Sequence, residues 1–219
     1  EERYGYDPAG NLVSKHTANL DLYGFGPVEY DYEYNRLTGI RYPGNPQNNV
    51  TYRYDLYPNG TGRINEIEDA AGLQRMKYGL LGEVTEHERV FVLPHEQFYA
   101  FTMKYRYDTW NRISSMEYPD GERVRYEYGR GGHLKNVIGW KPGHNEEYYL
   151  QNMEYDKFGK VYYRLIGDID IKYDYDELQR LRNESFCLQI RCNEVNYSYD
   201  AVGNIEKIDR TVYIDNQPY

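Results

Sequence analysis

Apolar and polar residues alternate in short runs along this chain, which is the pattern of half-buried β-strands. The segment 103–128 shows it clearly, because Tyr105 and Tyr107 alternate with charged residues and a second alternating run ends the segment. The sequences Asp108–Asn111 and Pro119–Gly121 interrupt the runs. Both have turn chemistry, since Pro fixes φ while Gly and Asn tolerate a positive φ. The segment therefore predicts strand, turn, strand, turn.

The same unit recurs along the sequence. Each copy opens with Tyr, usually followed by Asp, then a short spacer, Gly or Asn, a polar residue and an aliphatic residue. The opening tyrosines fall at positions 6, 30, 54, 78, 107, 128, 155, 175 and 199, at intervals of about 20 to 29 residues. A period of this size indicates a repeat architecture in which each unit stacks on its neighbour. We predict that residues 1–219 form a single array of about nine units.

Three residue types define the repeat and are interpreted as structural: the tyrosine packs, the aspartate bonds nearby backbone amides, and the Gly or Asn adopts the left-handed conformation. The copies at Tyr78 and Tyr128 have Gly79 and Gly129 in place of Asp. The copies opening at 30 and 54 contain one and four extra residues. The repeat-motif residues of the best copies are Tyr6, Asp7, Gly10, Tyr54, Asp55, Gly62, Tyr107, Asp108, Asn111, Tyr155, Asp156, Gly159, Tyr175, Asp176, Tyr199, Asp200 and Gly203.

This spacing predicts an all-β fold of antiparallel hairpins placed side by side in a long twisted, curved sheet, a partial spiral or shell. One face of the sheet would carry tyrosine and the other charge. No helix of useful length is predicted. Segments 58–62, 91–97 and 140–145 lengthen the period and are interpreted as longer loops at the sheet margins.

The composition indicates what kind of core the sheet has and argues against some classes of partner. Tyrosine accounts for 28 of the aromatic residues, against 6 Phe and 2 Trp, so a thin sheet packed through tyrosine rings is favoured over a thick aliphatic core. The net charge of −9 is dispersed, which argues against a nucleic-acid partner. No apolar run is long enough for a membrane span. Cys187 and Cys192 are interpreted as unpaired thiols, because a disulfide would require a turn between them.

The quoted motifs resemble the YD repeat of Rhs proteins, which also occurs in the C components of insecticidal toxin complexes and in teneurins. The resemblance covers essentially the whole chain. It implies a strip of hairpins that spirals into a hollow shell, enclosing a C-terminal toxin in bacterial members and forming an adhesion module in teneurins. It also implies a secreted or cell-surface protein whose partners are other segments of the same polypeptide. Because both ends fall inside a repeat, we expect an excerpt of a larger protein that self-associates edge to edge.

Catalytic chemistry is not expected. Rhs proteins carry paired Asp-Pro-X-Gly motifs linked to self-cleavage, whereas Asp7-Pro8-Ala9-Gly10 is the single copy here and Asp7 is interpreted as a turn residue. The histidines lack metal-site spacing, and no nucleophile elbow or phosphate loop occurs. We therefore predict no enzyme activity, no metal and no cofactor.

Two functions remain open from the sequence. The first is a non-catalytic shell segment that encapsulates or presents a C-terminal effector. The second is an extracellular adhesion or carbohydrate-binding array, in which exposed rings such as Tyr105, Tyr126 and Tyr173 would contact a glycan or receptor.

Overall fold

The computed structural model describes residues 1–93, 97–214 and 217–218. Nearly all of its regular structure is β-strand, and strands that follow one another in sequence pair antiparallel at all but one of the connections described below. The prediction of an all-β fold built from antiparallel hairpins is therefore confirmed. The chain divides into two compact units, Glu1–Arg112 and Ile113–Tyr219.

The described residues of the first unit form nine strands, each paired with the next in sequence. A short helix, α1, connects the second strand to the third, and a 3-10 turn at Pro46–Asn48 precedes the fifth. The elements are β1 Arg3–Tyr6, β2 Leu12–His16, α1 Ala18–Tyr23, β3 Val28–Glu33, β4 Arg36–Arg41, β5 Val50–Tyr54, β6 Ile64–Asp69, β7 Gly72–Tyr78, β8 Val84–Leu93 and β9 Gln97–Tyr107.

The second unit contains a run β10 to β13 and a run β14 to β20, again paired in sequence order within each run. Only Gln151 separates β13 from β14. Strand β13 pairs with β12, whereas β14 pairs with β15. The strands are β10 Ile113–Glu117, β11 Arg123–Tyr128, β12 Leu134–Trp140, β13 Glu147–Leu150, β14 Asn152–Tyr155, β15 Val161–Ile166, β16 Ile169–Tyr175, β17 Leu181–Leu188, β18 Arg191–Tyr199, β19 Ile205–Ile214 and β20 Gln217–Pro218.

The repeat tyrosines mark the end of a strand and a fixed shift in register. Tyr6 pairs with Leu12 and Tyr199 with Ile205, six residues on in each case. Compared with the pairs that precede each tyrosine, the partner strand is shifted by one residue at the tyrosine. This is the arrangement of a short hairpin loop closed by a β-bulge. The bulge increases the local twist, so the same bend recurs wherever the motif recurs.

Helix α1 was not predicted. It spans six residues, too few for a helical period to show in the sequence. Gly24 ends it with φ of 69°, and the Gly24 and Phe25 amides donate to the Asp21 and Leu20 carbonyls. The helix is therefore a single stabilised turn in the connection between β2 and β3.

The longest strands occupy part of a segment that was predicted to be loop. Residues 91–93 extend β8 and Gln97 begins β9, with Phe91 opposite Tyr99 and Val92 opposite Phe98. The loop interpretation is thus wrong for these residues, while 94–96 lie outside the described residues. Alternating aromatic and β-branched residues favour strand pairing over a loop. Residues 58–62 and 141–145 do lie between strands, whereas the loop prediction is wrong for Trp140, which is the last residue of β12.

The interpretation of the two cysteines as unpaired thiols is wrong. Cys187 and Cys192 form a disulfide. The chain turns at Gln189 and Ile190, so that β17 and β18 bring the two cysteines directly opposite each other. A disulfide between cysteines at this separation requires a turn, and Gln189 and Ile190 form it.

Fully buried side chains are few. The buried hydrophobic residues are Val124, Ile138, Leu150 and Ile171, and the buried polar ones are Asn65 and Ser185. Most tyrosines are half-buried instead. Stability in such a sheet depends on contacts between neighbouring strands, since few aliphatic side chains are buried in the part of the chain that the structure describes.

Candidate functional site

The repeated Tyr-Asp turn is the best-defined local structure in the chain. In the turn that opens at Asp156, the Asp156 amide donates to the Lys160 carbonyl at 2.8 Å and the Gly159 amide donates to the Asp156 carbonyl at 3.0 Å. One carboxylate oxygen of Asp156 accepts the amides of Phe158 at 2.8 Å and Lys160 at 2.9 Å. The side chain therefore holds both halves of a five-residue loop.

The same geometry recurs at four of the other predicted turns. Asp7, Asp108 and Asp200 each accept the amides two and four residues on at 2.8 to 3.0 Å. Asp176 accepts the amide four residues on at 2.8 Å. The fourth residue of each loop has a positive φ, whatever its type: Gly10 88°, Asn111 58°, Gly159 81°, Gln179 64° and Gly203 93°. Glycine is thus convenient at this position without being required.

Hydrogen bonding lowers the pKa of these turn carboxyls. A side-chain bond from Asn11 lowers the pKa of Asp7, and one from Asn204 does the same for Asp200. The backbone amide of Arg180 is the main cause of the lowered pKa of Asp176. Each carboxylate is ionised and fully engaged by its own loop. Such a group has a structural role, and among the described residues none of the three bonds to a second carboxyl with which it could share a proton.

A second repeated contact joins one repeat to the next. The hydroxyl of Tyr175 donates to the carbonyl of Val161 at 2.9 Å, and Val161 is the aliphatic residue that closes the preceding motif. We call this series the tyrosine ladder. Its members are Tyr54 to Leu37 at 2.8 Å, Tyr78 to Ile64 at 2.5 Å, Tyr107 to Val84 at 2.7 Å, Tyr128 to Ile113 at 2.8 Å, Tyr175 to Val161 at 2.9 Å and Tyr199 to Leu181 at 2.7 Å.

A basic residue covers several ladder rings. It stands immediately before the aliphatic residue whose carbonyl accepts the hydroxyl, and its cation lies 4.4 to 5.6 Å from the ring centroid. The pairs are Arg36 over Tyr54, Arg63 over Tyr78, Lys160 over Tyr175 and Arg180 over Tyr199. Desolvation raises the pKa of Tyr54, Tyr78, Tyr107 and Tyr175, which keeps each hydroxyl protonated as a donor.

Apart from the copy predicted at Tyr30, two motif tyrosines stand outside the ladder. Tyr6 is 63% exposed, and its hydroxyl has no partner among the described residues. The Tyr155 hydroxyl contacts the Met153 sulfur at 2.8 Å, and its ring stacks on His133 with centroids 4.5 Å apart. Tyr155 ends β14, which pairs with β15 and not with the strand that precedes it in sequence. The carbonyl that would accept a ladder bond from Tyr155 therefore lies on a strand that does not pair with β14.

The copy at Tyr54, which has four extra residues, holds its loop through different contacts. The Asp55 carboxylate accepts the Gly62 amide at 2.5 Å, and Arg36 bonds the other oxygen at 2.7 Å. The Arg36 side chain is the main cause of the lowered pKa of Asp55. Asn65, which sequence reasoning missed, is fully buried beneath this loop and bonds the Leu56 amide at 2.9 Å.

The frame that opens at Tyr30 is wrong. Tyr32, two residues later, makes the register shift by pairing with Leu37, and the turn residues are Tyr34 and Asn35 with φ of 50° and 60°. Asp31 lies within β3 and pairs with Arg41 at 2.6 Å. Since both tyrosines fit the same alternation, the sequence could not distinguish them.

Charged residues form a second network across strands β5 to β8. Glu66 bonds Arg53 at 3.2 Å and Arg75 at 3.3 Å, and Arg75 bonds Glu88 at 2.6 Å. The Tyr57 hydroxyl donates to Glu66 at 2.6 Å and is the main cause of its lowered pKa. These carboxylates are cross-strand partners of arginines, as in a sheet surface of mixed charge.

Among the described residues, no group of three or more His, Cys, Asp or Glu side chains could hold a metal ion. His95 lies outside the described residues. Within the same ranges, no helix is both long and apolar enough to cross a membrane.

Comparison with known proteins gives matches in structure alone. No protein-family model and no curated protein matches the sequence. Solved Tc toxin structures do match: TcdB2-TccC3-Cdc42 with a TM-score of 0.73 and 17% identity, TcdB2-TccC3 with 0.66 and 16%, and the Photorhabdus luminescens Tc holotoxin pore with 0.67 and 16%. Each match covers 95% of this chain but 12% to 14% of the matched chain. The chain thus shares its fold with a small segment of these Tc toxin chains.

Proposed function

We propose that this chain is a non-catalytic wall segment of an Rhs-type YD-repeat shell, which encloses or presents an effector carried by the C-terminal part of the same polypeptide. The tyrosine ladder is the observation that carries this proposal. Each of its six bonds joins a repeat to the one before it through a hydroxyl and a carbonyl, so the motif that repeats in the sequence builds a wall within each unit. The fold shared with Tc toxin chains supports the same assignment.

The use of the conspicuous side chains supports a structural role. The motif aspartates close their own loops, the ladder tyrosines bond the preceding repeat, and the carboxylates of β5 to β8 pair with arginines. Tyr105, Tyr126 and Tyr173, the rings suggested for glycan contact, are half-buried in the sheet. Little of the repeated chemistry is therefore left for a substrate.

The exposed area also supports a wall built with further segments. The chain exposes 15107 Å². Two compact proteins of half its mass would together expose about 12,700 Å². Even without counting any contact between the two units, the sheets leave more surface uncovered than compact domains do. A shell wall explains this surplus, because its inner and outer faces meet other parts of the assembly.

The disulfide supports a secreted or cell-surface location. Cys187 and Cys192 are both oxidised, and such bonds persist mainly outside the reducing cytosol. We propose this compartment for the protein as a whole.

Limited proteolysis of the natural polypeptide that contains this chain tests the proposal. Fragments are mapped by mass over time, for the wild type and for a Tyr175→Phe, Tyr199→Phe variant that lacks two ladder bonds. A matched control is Tyr6→Phe, which lacks a hydroxyl outside the ladder. Enclosure predicts that residues C-terminal to the array are protected in the wild type and the control, and are cleaved earlier in the double variant.

Immediate digestion of those residues while the array resists would overturn the proposal. In that case, binding to a glycan array, with loss on substitution of Tyr105, Tyr126 and Tyr173, would favour adhesion or carbohydrate recognition instead.

A further inference from the structure

The repeat turn at Gly129 lacks the carboxylate that several sister turns use. In the turns of Asp7, Asp108, Asp156 and Asp200, a single carboxylate oxygen accepts the amides of the residues two and four positions on. In the turn 129–133 the corresponding residue is Gly129, which has no side chain. The repeats therefore provide an internal comparison of the same loop with and without its carboxylate.

The backbone of the Gly129 turn matches that of the aspartate turns. The Gly129 amide donates to the His133 carbonyl at 2.9 Å, and the Gly132 amide donates to the Gly129 carbonyl at 2.9 Å. By analogy the amides of Gly131 and His133 converge on the position that the carboxylate oxygen occupies elsewhere. Neither amide hydrogen-bonds to another residue in the part of the chain that the structure describes. Two convergent backbone donors of this kind form a nest for an anion.

The turn at Gly79 shows that the same loss can be repaired from within the chain. Its backbone bonds are conserved, with the Gly79 amide donating to the Glu83 carbonyl at 2.8 Å. The Glu83 carboxylate reaches back and accepts the Leu81 amide at 2.9 Å. A Cβ at Gly79 would collide with that carboxylate, so glycine makes room for it. At the Gly129 turn the residue equivalent to Glu83 is His133, which supplies no carboxylate.

The space at Gly129 is open. Its φ is not positive, and a Cβ added there would meet nothing nearer than the His133 carbonyl oxygen at 3.8 Å. Backbone strain therefore does not demand glycine. Gly129, Gly131, His133 and Lys135 line an open cavity of about 450 Å³.

The one carboxylate that lines the same cavity is already occupied. Glu154 accepts the Asn152 side-chain amide at 2.8 Å and the Tyr162 hydroxyl on its other oxygen. Arg130 and Lys135 place two positive charges at the turn, in a chain whose net charge is −9. The acidic neighbour Glu127 is already bonded to Arg125 and to the Asn136 side-chain amide. The cavity thus combines two free amides with nearby cations, which favours an anion.

We propose that the Gly129 turn binds a carboxylate group of another polypeptide segment, in the position that the motif aspartate occupies in the sister turns. An acidic side chain is the natural ligand, because the loop has the geometry of an aspartate receptor. The inference rests on the loop itself and holds whether or not the chain belongs to a shell.

Amide NMR shifts test the proposal with sodium acetate as the probe. Acetate should move the Gly131 and His133 amide protons downfield in a saturable manner, with sodium chloride at equal ionic strength as the reference. The Leu81 amide, which Glu83 already bonds, should not move. Gly129→Asp should abolish the response by filling the site from within the chain.

The reverse variant provides a gain of function. Asp200→Gly should create a second empty turn, in which acetate shifts the amides of Val202 and Asn204. The proposal is overturned if Gly131 and His133 respond equally to chloride, or if they keep their acetate response in Gly129→Asp. A response to inorganic phosphate without one to acetate would overturn the assignment to a carboxylate.

Discussion

Removing a single hydroxyl from the tyrosine ladder should weaken the contact between two repeats by a measurable amount. Tyr175→Phe deletes the donor to the Val161 carbonyl, a bond of 2.9 Å, and leaves the ring beneath the Lys160 cation at 4.6 Å. An intramolecular hydrogen bond contributes about 0.5–1.5 kcal/mol net to stability. We therefore expect the free energy of unfolding to fall by about 1 kcal/mol.

The matched control is Tyr6→Phe. Tyr6 occupies the same place in its motif, but it is 63% exposed and its hydroxyl bonds no described residue. Surface substitutions of this kind stay within about 0.5 kcal/mol of the wild type. The two variants lose the same atoms and differ only in the contact between repeats.

Urea unfolding followed by tyrosine fluorescence measures the difference. With an m-value of about 2 kcal/mol/M, the loss at Tyr175 should lower the midpoint by about 0.5 M at unchanged m. The Tyr6 midpoint should barely move. Equal shifts in the two variants would show that the ladder bond contributes nothing, and the reasoning from the repeat contacts would be wrong.

Raising the pH should destabilise the protein, because desolvation raises the pKa of Tyr54 and Tyr78 above 10.0. The contribution of these two tyrosines to stability is complete below pH 10 and is lost as the pH rises from there through the folded-state pKa. Urea midpoints measured as a function of pH will show this loss. Asp176→Ala should lower the urea midpoint at pH 7. Because the pKa of Asp176 is lowered in the folded protein, the greater stability of the wild type is present above about pH 4 and disappears as the pH falls through the folded-state pKa. Reducing the Cys187–Cys192 disulfide with dithiothreitol should cost at most about 2 kcal/mol, since the loop is short, and should leave the Cys187→Ser, Cys192→Ser variant unchanged.

Local chemistry explains which parts of the structure could be predicted. The turn at Asp156 depends on a carboxylate and a residue with positive φ three positions later, and both are visible in the sequence. Strand alternation is equally local, so the hairpins follow from it. The prediction of one continuous array over residues 1–219 remains a prediction.

The predictions that were wrong concern residues whose role depends on a partner on a neighbouring strand. Tyr30 and Tyr32 fit the same alternation, and only the pairing of Tyr32 with Leu37 shows which of them opens the turn. The pairing of Cys187 with Cys192 likewise depends on the register of β17 and β18.

The sequence by itself determined the all-β class, the repeat and the chemistry of its turns, because each depends on residues within a few positions of one another. Tertiary structure decided the tyrosine ladder and the open carboxylate position at Gly129. A hydroxyl such as that of Tyr175 selects a carbonyl in a different repeat, 14 residues away, and that choice depends on strand register. The Gly129 turn becomes a candidate site only when its free amides are compared in space with those of its sister turns.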